Sequence, residues 1–203
     1  MGDLTLQVVM LRIAAALLVI SVHGAAVAAI ACLMGDPGPR HDGRLSLSPL
    51  RHLDLIGGLL LVMFAFGWIA PIAVDPNRLR GGRGGLLAVA AGGTGATFAL
   101  SALLRLVRPF VLNSLPDTAA ASFFVFVETV GQLCFSFTLF NLLPVPPLTG
   151  QHLLVAILPR QRKALRHAQP YCMALLAMLV ATGLVARLLT PIAVGIQSVT
   201  LID

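Results

Sequence analysis

Residues Asn141–Gly150 read NLLPVPPLTG and overlap the end of a long apolar run, Thr118–Leu143. Proline lacks a backbone N–H and clashes with the preceding helical turn, so Pro144, Pro146 and Pro147 predict that a helix ends here. The apolar run before them is long enough to cross the hydrocarbon core of a bilayer, which is about 30 Å thick. This stretch therefore predicts a membrane-crossing helix that ends in an irregular, proline-rich segment.

The composition of the whole chain agrees with a membrane location. Of its 203 residues, 58% are hydrophobic and 11% are charged, whereas a soluble domain carries roughly 25% charged residues. This balance excludes a soluble enzyme, and the apolar content excludes a disordered chain. The net charge of +6 comes from Lys and Arg spread over short loops, which excludes a nucleic-acid partner. We predict a polytopic integral membrane protein whose surroundings are membrane lipids.

The apolar runs predict the fold class. Five of them could cross a bilayer: Leu4–Met34, Leu55–Val74, Leu86–Leu104, Thr118–Leu143 and Pro170–Ile196. We therefore predict an all-α membrane protein of about five transmembrane helices, forming a single membrane domain over residues 1–203.

Two connections between these runs are informative. Gly35–Asp54 is polar, and its stretch RLSLSPL alternates apolar and polar residues. That alternation predicts a short strand or a re-entrant β-like loop after the first helix. Pro159–His167 carries four basic residues and is expected to lie against anionic head groups, ahead of the last helix at 170–196.

NLLPVPPLTG resembles the Asn-x-x-Pro-x-x-Pro-Leu-Asp-Gly signature of the site-2 proteases, the M50 intramembrane zinc metalloproteases. The resemblance extends along the chain in matching order, over a core of about residues 15–155. Ser21–Leu61 is similar to that family's metal-binding helix and the stretch after it, and Phe66–Arg80 to its Gly-Trp segment. Ala90–Ala96 occupies the place of its Ala-Gly-Pro-x-x-Asn. The resemblance implies an M50-like core, in which Asn141, Pro144, Pro147 and Gly150 are interaction and packing residues.

The residues that carry the family's chemistry are replaced. His-Glu-x-x-His places two zinc ligands one helical turn apart, with the Glu as general base. Here the first His is His23, the Glu is Gly24 and the second His is Val27. The third ligand, the Asp of Leu-Asp-Gly, is Thr149, and the family's Asn falls on Ala96. We therefore predict no catalytic residue at these four degenerate positions.

A rearranged metal site is the alternative. His152 follows Thr149 by three residues, so on a helix it shares that face and could approach His23. These two residual candidates fall short of the three protein ligands that a catalytic zinc ion uses. The sequence therefore predicts no cofactor, zinc included.

Other buried polar residues allow two interpretations each. Glu128 lies in the middle of the fourth run, where it is either a protonated or paired carboxyl, inside the bundle or at a subunit contact, or part of a proton or ion pathway. His41 and His52 lie in the polar connection and are expected to be loop-packing residues rather than ligands.

Three functions remain compatible with the sequence. The first is a catalytically inactive M50-like protein that serves as a structural or accessory subunit of a larger membrane protein complex, with other integral membrane subunits as partners. The second is an active intramembrane zinc metalloprotease with altered ligands, and the third a non-proteolytic membrane protein that binds a peptide or a lipid. The resemblance makes the bacterial inner (cytoplasmic) membrane the expected location.

Overall fold

A computed structural model of the protein describes residues 6–189 and 191. Within these residues the fold is all-α, and the only β-type pairing is one antiparallel bridge between Leu53 and Ile69. The helices are α1 (Leu6–Leu33), α2 (Gly38–His41), α3 (Leu55–Phe64), α4 (Arg83–Leu112), α5 (Asp117–Asn141), α6 (Gln151–Ile157) and α7 (Arg162–Ala181).

The centre of the molecule is a bundle of α1, α4 and α5. Small residues allow these helices to approach closely, as is usual for helices that pack inside a membrane. A Cβ atom at Gly93 of α4 would lie 2.5 Å from Val27 Cγ2 of α1, so only glycine fits at this crossing. The same crossing holds the polar residues described below.

Three of the described helices are long and apolar enough to cross a membrane, namely α1, α4 and α5. This agrees with an all-α integral membrane protein and leaves the predicted number of about five crossings unconfirmed. The first and fourth apolar runs correspond closely to α1 and α5.

The second apolar run does not form the single helix that we predicted. Helix α3 covers only ten residues, about 15 Å at 1.5 Å per residue, so it is too short to span the bilayer. It ends at Ala65, whose φ of 64° is left-handed. The chain then continues without helix through residues 66–74, where Trp68 and Ile69 are buried. This non-helical backbone is covered by protein, as membrane depth requires.

The third apolar run continues beyond its predicted end. Helix α4 reaches Leu112, so Arg105 and Arg108 lie on a membrane-crossing helix rather than in a loop. The fifth run begins inside α7, whose first turns are formed by the basic segment. The single last helix that we predicted is interrupted, because α7 ends at Ala181 and Gly183 has a left-handed φ of 74°. Residues 184–189 are helical again, and the rest of the predicted helix, apart from residue 191, lies outside the described residues.

The predicted β-like insertion is only partly present. Residues 45–48 of the alternating stretch form bends and coil, so the period-2 pattern there produces no strand. β-type pairing occurs further along the connection, at residues 52 and 53. Ala70 N–H donates to the carbonyl of His52 (2.8 Å), beside the bridge between Leu53 and Ile69. The connection after α1 is thereby held against the non-helical segment 66–74.

Polar contacts join this segment to the helices on either side. Asp36, directly after α1, accepts hydrogen bonds from the backbone N–H groups of Gly38 (3.0 Å) and Asp75 (2.7 Å). The Asp75 carboxylate in turn pairs with Arg162 of α7, at 3.1 Å between Oδ1 and Nη1. A second nitrogen of Arg162 donates to the carbonyl of Val74 (3.2 Å).

The Asp75 contacts predict a pH-dependent contribution to stability. The backbone N–H of Asn77 and the guanidinium of Arg162 lower the pKa of Asp75, although partial burial opposes them. A lowered folded-state pKa stabilises the fold above the unfolded-state value, about 4, and this stabilisation is lost as the pH falls through the folded-state pKa. Asp75→Asn should therefore lower the melting temperature at pH 7, and the difference from wild type should shrink as the pH falls below about 4.

Because the pair is partly exposed, we expect an effect of less than about 1 kcal/mol at pH 7. The measurement is thermal unfolding in detergent at several pH values. Asp42→Asn, an exposed carboxylate without an ion pair among the described residues, is the matched control. An Asp75→Asn difference that stays constant from pH 7 to pH 3 would contradict the assignment.

Candidate functional site

His23 lies at the centre of the bundle and is fully buried. Its Nε2 shares a hydrogen bond of 2.8 Å with Oγ1 of Thr149, which is 126 residues further along the chain. The edge of its ring meets Phe137 of α5, with 5.0 Å between centroids. Gly93 of α4 faces the ring from another side. The two positions aligned with the first and third zinc ligands are therefore joined directly to each other.

The space next to Gly24 is filled by an imidazole. A Cβ atom placed on Gly24 would overlap the His52 ring, since even the third-nearest ring atom, Cε1, would lie 2.9 Å away. His52 is fully buried, and its Nε2 donates to the carbonyl of Ser46 (2.8 Å). Burial lowers the pKa of His52, so the ring is neutral at pH 7. The position aligned with the general base is thus occupied by a side chain from the following connection.

His52 offers one unused acceptor at this position. Its Nε2 carries the proton because a carbonyl oxygen can only accept, which leaves Nδ1 as the unprotonated nitrogen. That Nδ1 is buried and has no hydrogen-bond partner among the described residues. The ring therefore presents a lone pair, not a carboxylate, toward Gly24 of α1.

The remaining degenerate positions differ in their surroundings. Val27 is buried against Gly93 and contributes a methyl group where the family has a ligand. Ala96 is only half-buried, and the polar residue that α4 turns inward beside it is Thr97. Thr97 shares a hydrogen bond with Thr138 of α5, at 2.5 Å between the two Oγ1 atoms. Thr97 and Thr138 thus place a pair of bonded hydroxyl groups in the core between α4 and α5.

The signature loop after α5 is folded back on itself. Gly150 N–H donates to the carbonyl of Asn141 at 2.7 Å, so the two ends of the motif meet. The Asn141 amide nitrogen donates to the carbonyls of Phe137 and Gly67, both at 2.9 Å. Pro147 is buried and Pro144 is exposed. Asn141 thereby fixes the non-helical segment 66–74 to the loop that presents Thr149.

His152 lies on α6, one turn after Thr149, and is 6% exposed. Its ring makes no hydrogen bond to the described part of the chain, and it lines a cavity between α6 and α7. His152 is therefore a wall residue of this cavity, and no hydrogen bond joins its ring to the His23–Thr149 pair.

The described residues do not fit the zinc ion that the family resemblance implies. No group of three or more His, Cys, Asp or Glu side chains within residues 6–189 and 191 is placed to hold a metal ion. Nε2 of His23 is bonded to Thr149, and a neutral threonine hydroxyl is a poor zinc ligand next to thiolate, imidazole or carboxylate. No catalytic step through a metal can be derived from this arrangement.

Glu128 lies apart from this site, on the side of α5 that faces the end of α4. Its Oε1 pairs with Nη1 of Arg108 at 2.8 Å, and each side chain is about one third exposed, 36% for Arg108 and 35% for Glu128. The Arg108 guanidinium also lies over the ring of Phe124, 5.2 Å from its centroid. Of the two interpretations of Glu128, the structure has the paired carboxyl.

Two of these features escaped sequence reasoning. The contact between Gly24 and His52 depends on how the polar connection folds onto α1, which no residue spacing encodes. The Arg108–Glu128 pair was missed because the third apolar run was ended at the first arginine. The sequence shows only a glycine within a long apolar run and a histidine in the polar connection after it, which does not reveal that the two meet.

Comparison with known proteins agrees with the geometry. The profile of peptidase family M50 matches residues 82–183, which span α4 to α7. A protein of Bacillus subtilis (strain 168) described as "Putative zinc metalloprotease YwhC" is 30% identical over 178 residues, covering 84% of this chain and 80% of the relative. No solved structure gives a significant match. The fold and the signature loop define an integral membrane protein of the intramembrane-protease class. The chain belongs to peptidase family M50, the site-2 protease family.

Proposed function

We propose that this protein is a catalytically inactive member of the M50 family that serves as a structural or accessory subunit of a membrane protein complex, in the bacterial inner membrane. The observation that carries the proposal is the packing of His52 against Gly24. A general base at residue 24 would need the volume that the imidazole fills, and glycine itself cannot take a proton.

The bond between His23 and Thr149 supports the same function. In an empty metal site, a buried histidine, glutamate and aspartate would each need a partner, because unpaired polar groups are costly inside a membrane. Here Nε2 of the histidine is bonded to a threonine hydroxyl, and the other two positions carry no ionisable group. No carboxylate at these positions is therefore left unpaired in the core.

The second candidate is an active zinc metalloprotease with altered ligands, and the description of the Bacillus relative as a zinc metalloprotease favours it. Because the two candidates differ in metal content, they can be separated on one sample. We expect protein purified from native membranes to hold well below one zinc per chain. We also expect it to leave membrane-protein substrates uncut and to co-purify with other integral membrane subunits.

A designed variant provides the positive control. Gly24→Glu, Val27→His and Thr149→Asp restore the family's ligand and base positions, and His52→Ala makes room for the glutamate. This fourfold variant should bind about one zinc per chain, which would show that the assay detects a filled site on this scaffold. About one zinc on the wild-type chain, with cleavage that is lost in His23→Ala, would overturn the proposal.

A further inference from the structure

A cavity of about 290 Å³ lies between the segment 71–74, the start of α4, α6 and the first turns of α7. One part of its wall is apolar and includes Leu86 and Val155. The other part carries polar side chains, namely Gln151, His152, Arg162, Arg166 and Gln169. The volume suits a small head group rather than a whole drug-sized ligand, since ligand pockets measure about 300 to 1,000 Å³.

His152 indicates that the cavity is a binding site. It is 6% exposed, and within the described residues its ring makes no hydrogen bond. Its ring nitrogens are not among the polar atoms sealed off without a partner, so they can reach a molecule in the cavity whose wall they form. A neutral imidazole offers one N–H donor and one acceptor nitrogen, and a ligand in the cavity could use either of them.

The charge of the cavity selects an anion. Arg166 is exposed and has no ion pair among the described residues, whereas Arg162 is held by Asp75 and the carbonyl of Val74. None of the lining residues is an aspartate or glutamate. The guanidinium of Arg166 therefore carries a free positive charge, and the amides of Gln151 and Gln169 add uncharged hydrogen-bonding groups beside it.

The place of the cavity on α7 favours a lipid as the source of that anion. The first turn and a half of α7 is basic, from Arg162 to His167, and the helix then becomes apolar. Such a change from basic to apolar along one helix is typical of the level of the phospholipid head groups. A head group at this level would place its phosphate beside Arg166 and its first carbons against the apolar wall.

We propose that this cavity binds the head group of one anionic phospholipid, with Arg166 supplying the positive charge and His152, Gln151 and Gln169 supplying hydrogen bonds. This inference goes beyond the proposed function, because it holds whether or not the protein cleaves peptides. The lipid then binds at one defined site, whereas general attraction by the basic segment would hold anionic lipids at no fixed position.

The test measures lipid retention by native mass spectrometry of the detergent-purified chain. The probes are phosphatidylglycerol, phosphatidylcholine and inorganic phosphate, each added alone. We expect one retained phosphatidylglycerol and no retained phosphatidylcholine. Arg166→Gln should weaken phosphatidylglycerol binding at least about tenfold, because a charge-assisted hydrogen bond is lost. Gln169→Glu, which places a negative charge in the cavity at almost unchanged volume, should weaken it comparably.

Lys163→Gln is the matched control. It removes the same charge from the same basic segment, but Lys163 does not line the cavity. Less than a twofold change in this variant supports the proposal. An equal loss in Lys163→Gln and Arg166→Gln would overturn it in favour of general electrostatic attraction. Binding of inorganic phosphate without a preference for phosphatidylglycerol would overturn the lipid as the source of the anion.

Discussion

Gly150→Ala is expected to lower the free energy of unfolding by about 3 kcal/mol, the upper part of the usual range for inserting a methyl group into a packed interior. A Cβ atom at this position would overlap the carbonyl oxygen of Leu143 and lie 2.5 Å from that of Leu142. Both obstacles are backbone atoms, which cannot rotate away as a side chain can. The loop would have to open, and the bond from Gly150 to Asn141 would be lost with it.

The measurement is unfolding of the purified protein in mixed detergent, followed by circular dichroism. Gly84→Ala is the matched control, because the same methyl group on α4 would meet no atom within 4 Å. We expect that variant to unfold like the wild type or slightly later, since alanine favours a helix over glycine. A loss of less than about 1 kcal/mol for Gly150→Ala would mean that the loop has more freedom than the structure shows.

Gly24→Ala is expected to destabilise the protein by about 1 to 3 kcal/mol, because the new methyl group would overlap the His52 ring. Here the overlapping atoms belong to a side chain, so removing the His52 ring should remove the destabilisation caused by the new methyl group. Adding His52→Ala to Gly24→Ala should therefore cost less than the sum of the two single changes. A coupling free energy of about 1 to 2 kcal/mol is the expected result of this double-mutant cycle.

Gly95→Ala serves as the control for the same substitution in a membrane helix, since a Cβ at Gly95 would meet no atom within 4 Å. It should show no coupling to His52→Ala. If the effects of Gly24→Ala and His52→Ala were simply additive, the contact between residue 24 and the imidazole would not exist in the folded protein. The central observation behind the proposed function would then be removed.

The membrane class and two of the long helices could be predicted from the sequence, because apolar composition and helix length determine both directly. Helices α1 and α5 begin and end close to the apolar runs that predict them. Helix α4 was predicted too short because hydropathy falls at Arg105, although helical hydrogen bonding continues to Leu112. A guanidinium with a long stem can remain on a membrane helix when it finds a carboxylate, as Arg108 does with Glu128.

The second apolar run was predicted wrongly because composition does not distinguish helix from covered, non-helical backbone. Residues 66–74 are as apolar as a helix would be, yet they are held by contacts from distant parts of the chain. The carbonyl of Gly67 is bonded to Asn141, and the N–H of Ala70 to His52. These partners lie far apart in sequence, so no local pattern could reveal them.

The motif identified residues of the candidate site but did not predict how they pack. The resemblance placed His23 and Thr149 at ligand positions, and the structure brings these two side chains into contact. What fills the neighbouring volume depends on a third segment, the connection that carries His52. Its role follows from packing, which a linear spacing does not specify.

The imidazole beside Gly24 also limits how this chain could change over time. A glutamate introduced at residue 24 by a single mutation would meet an occupied volume, because even its Cβ atom would overlap the ring. A carboxylate at this position is therefore compatible with the present packing only together with a second change, at His52.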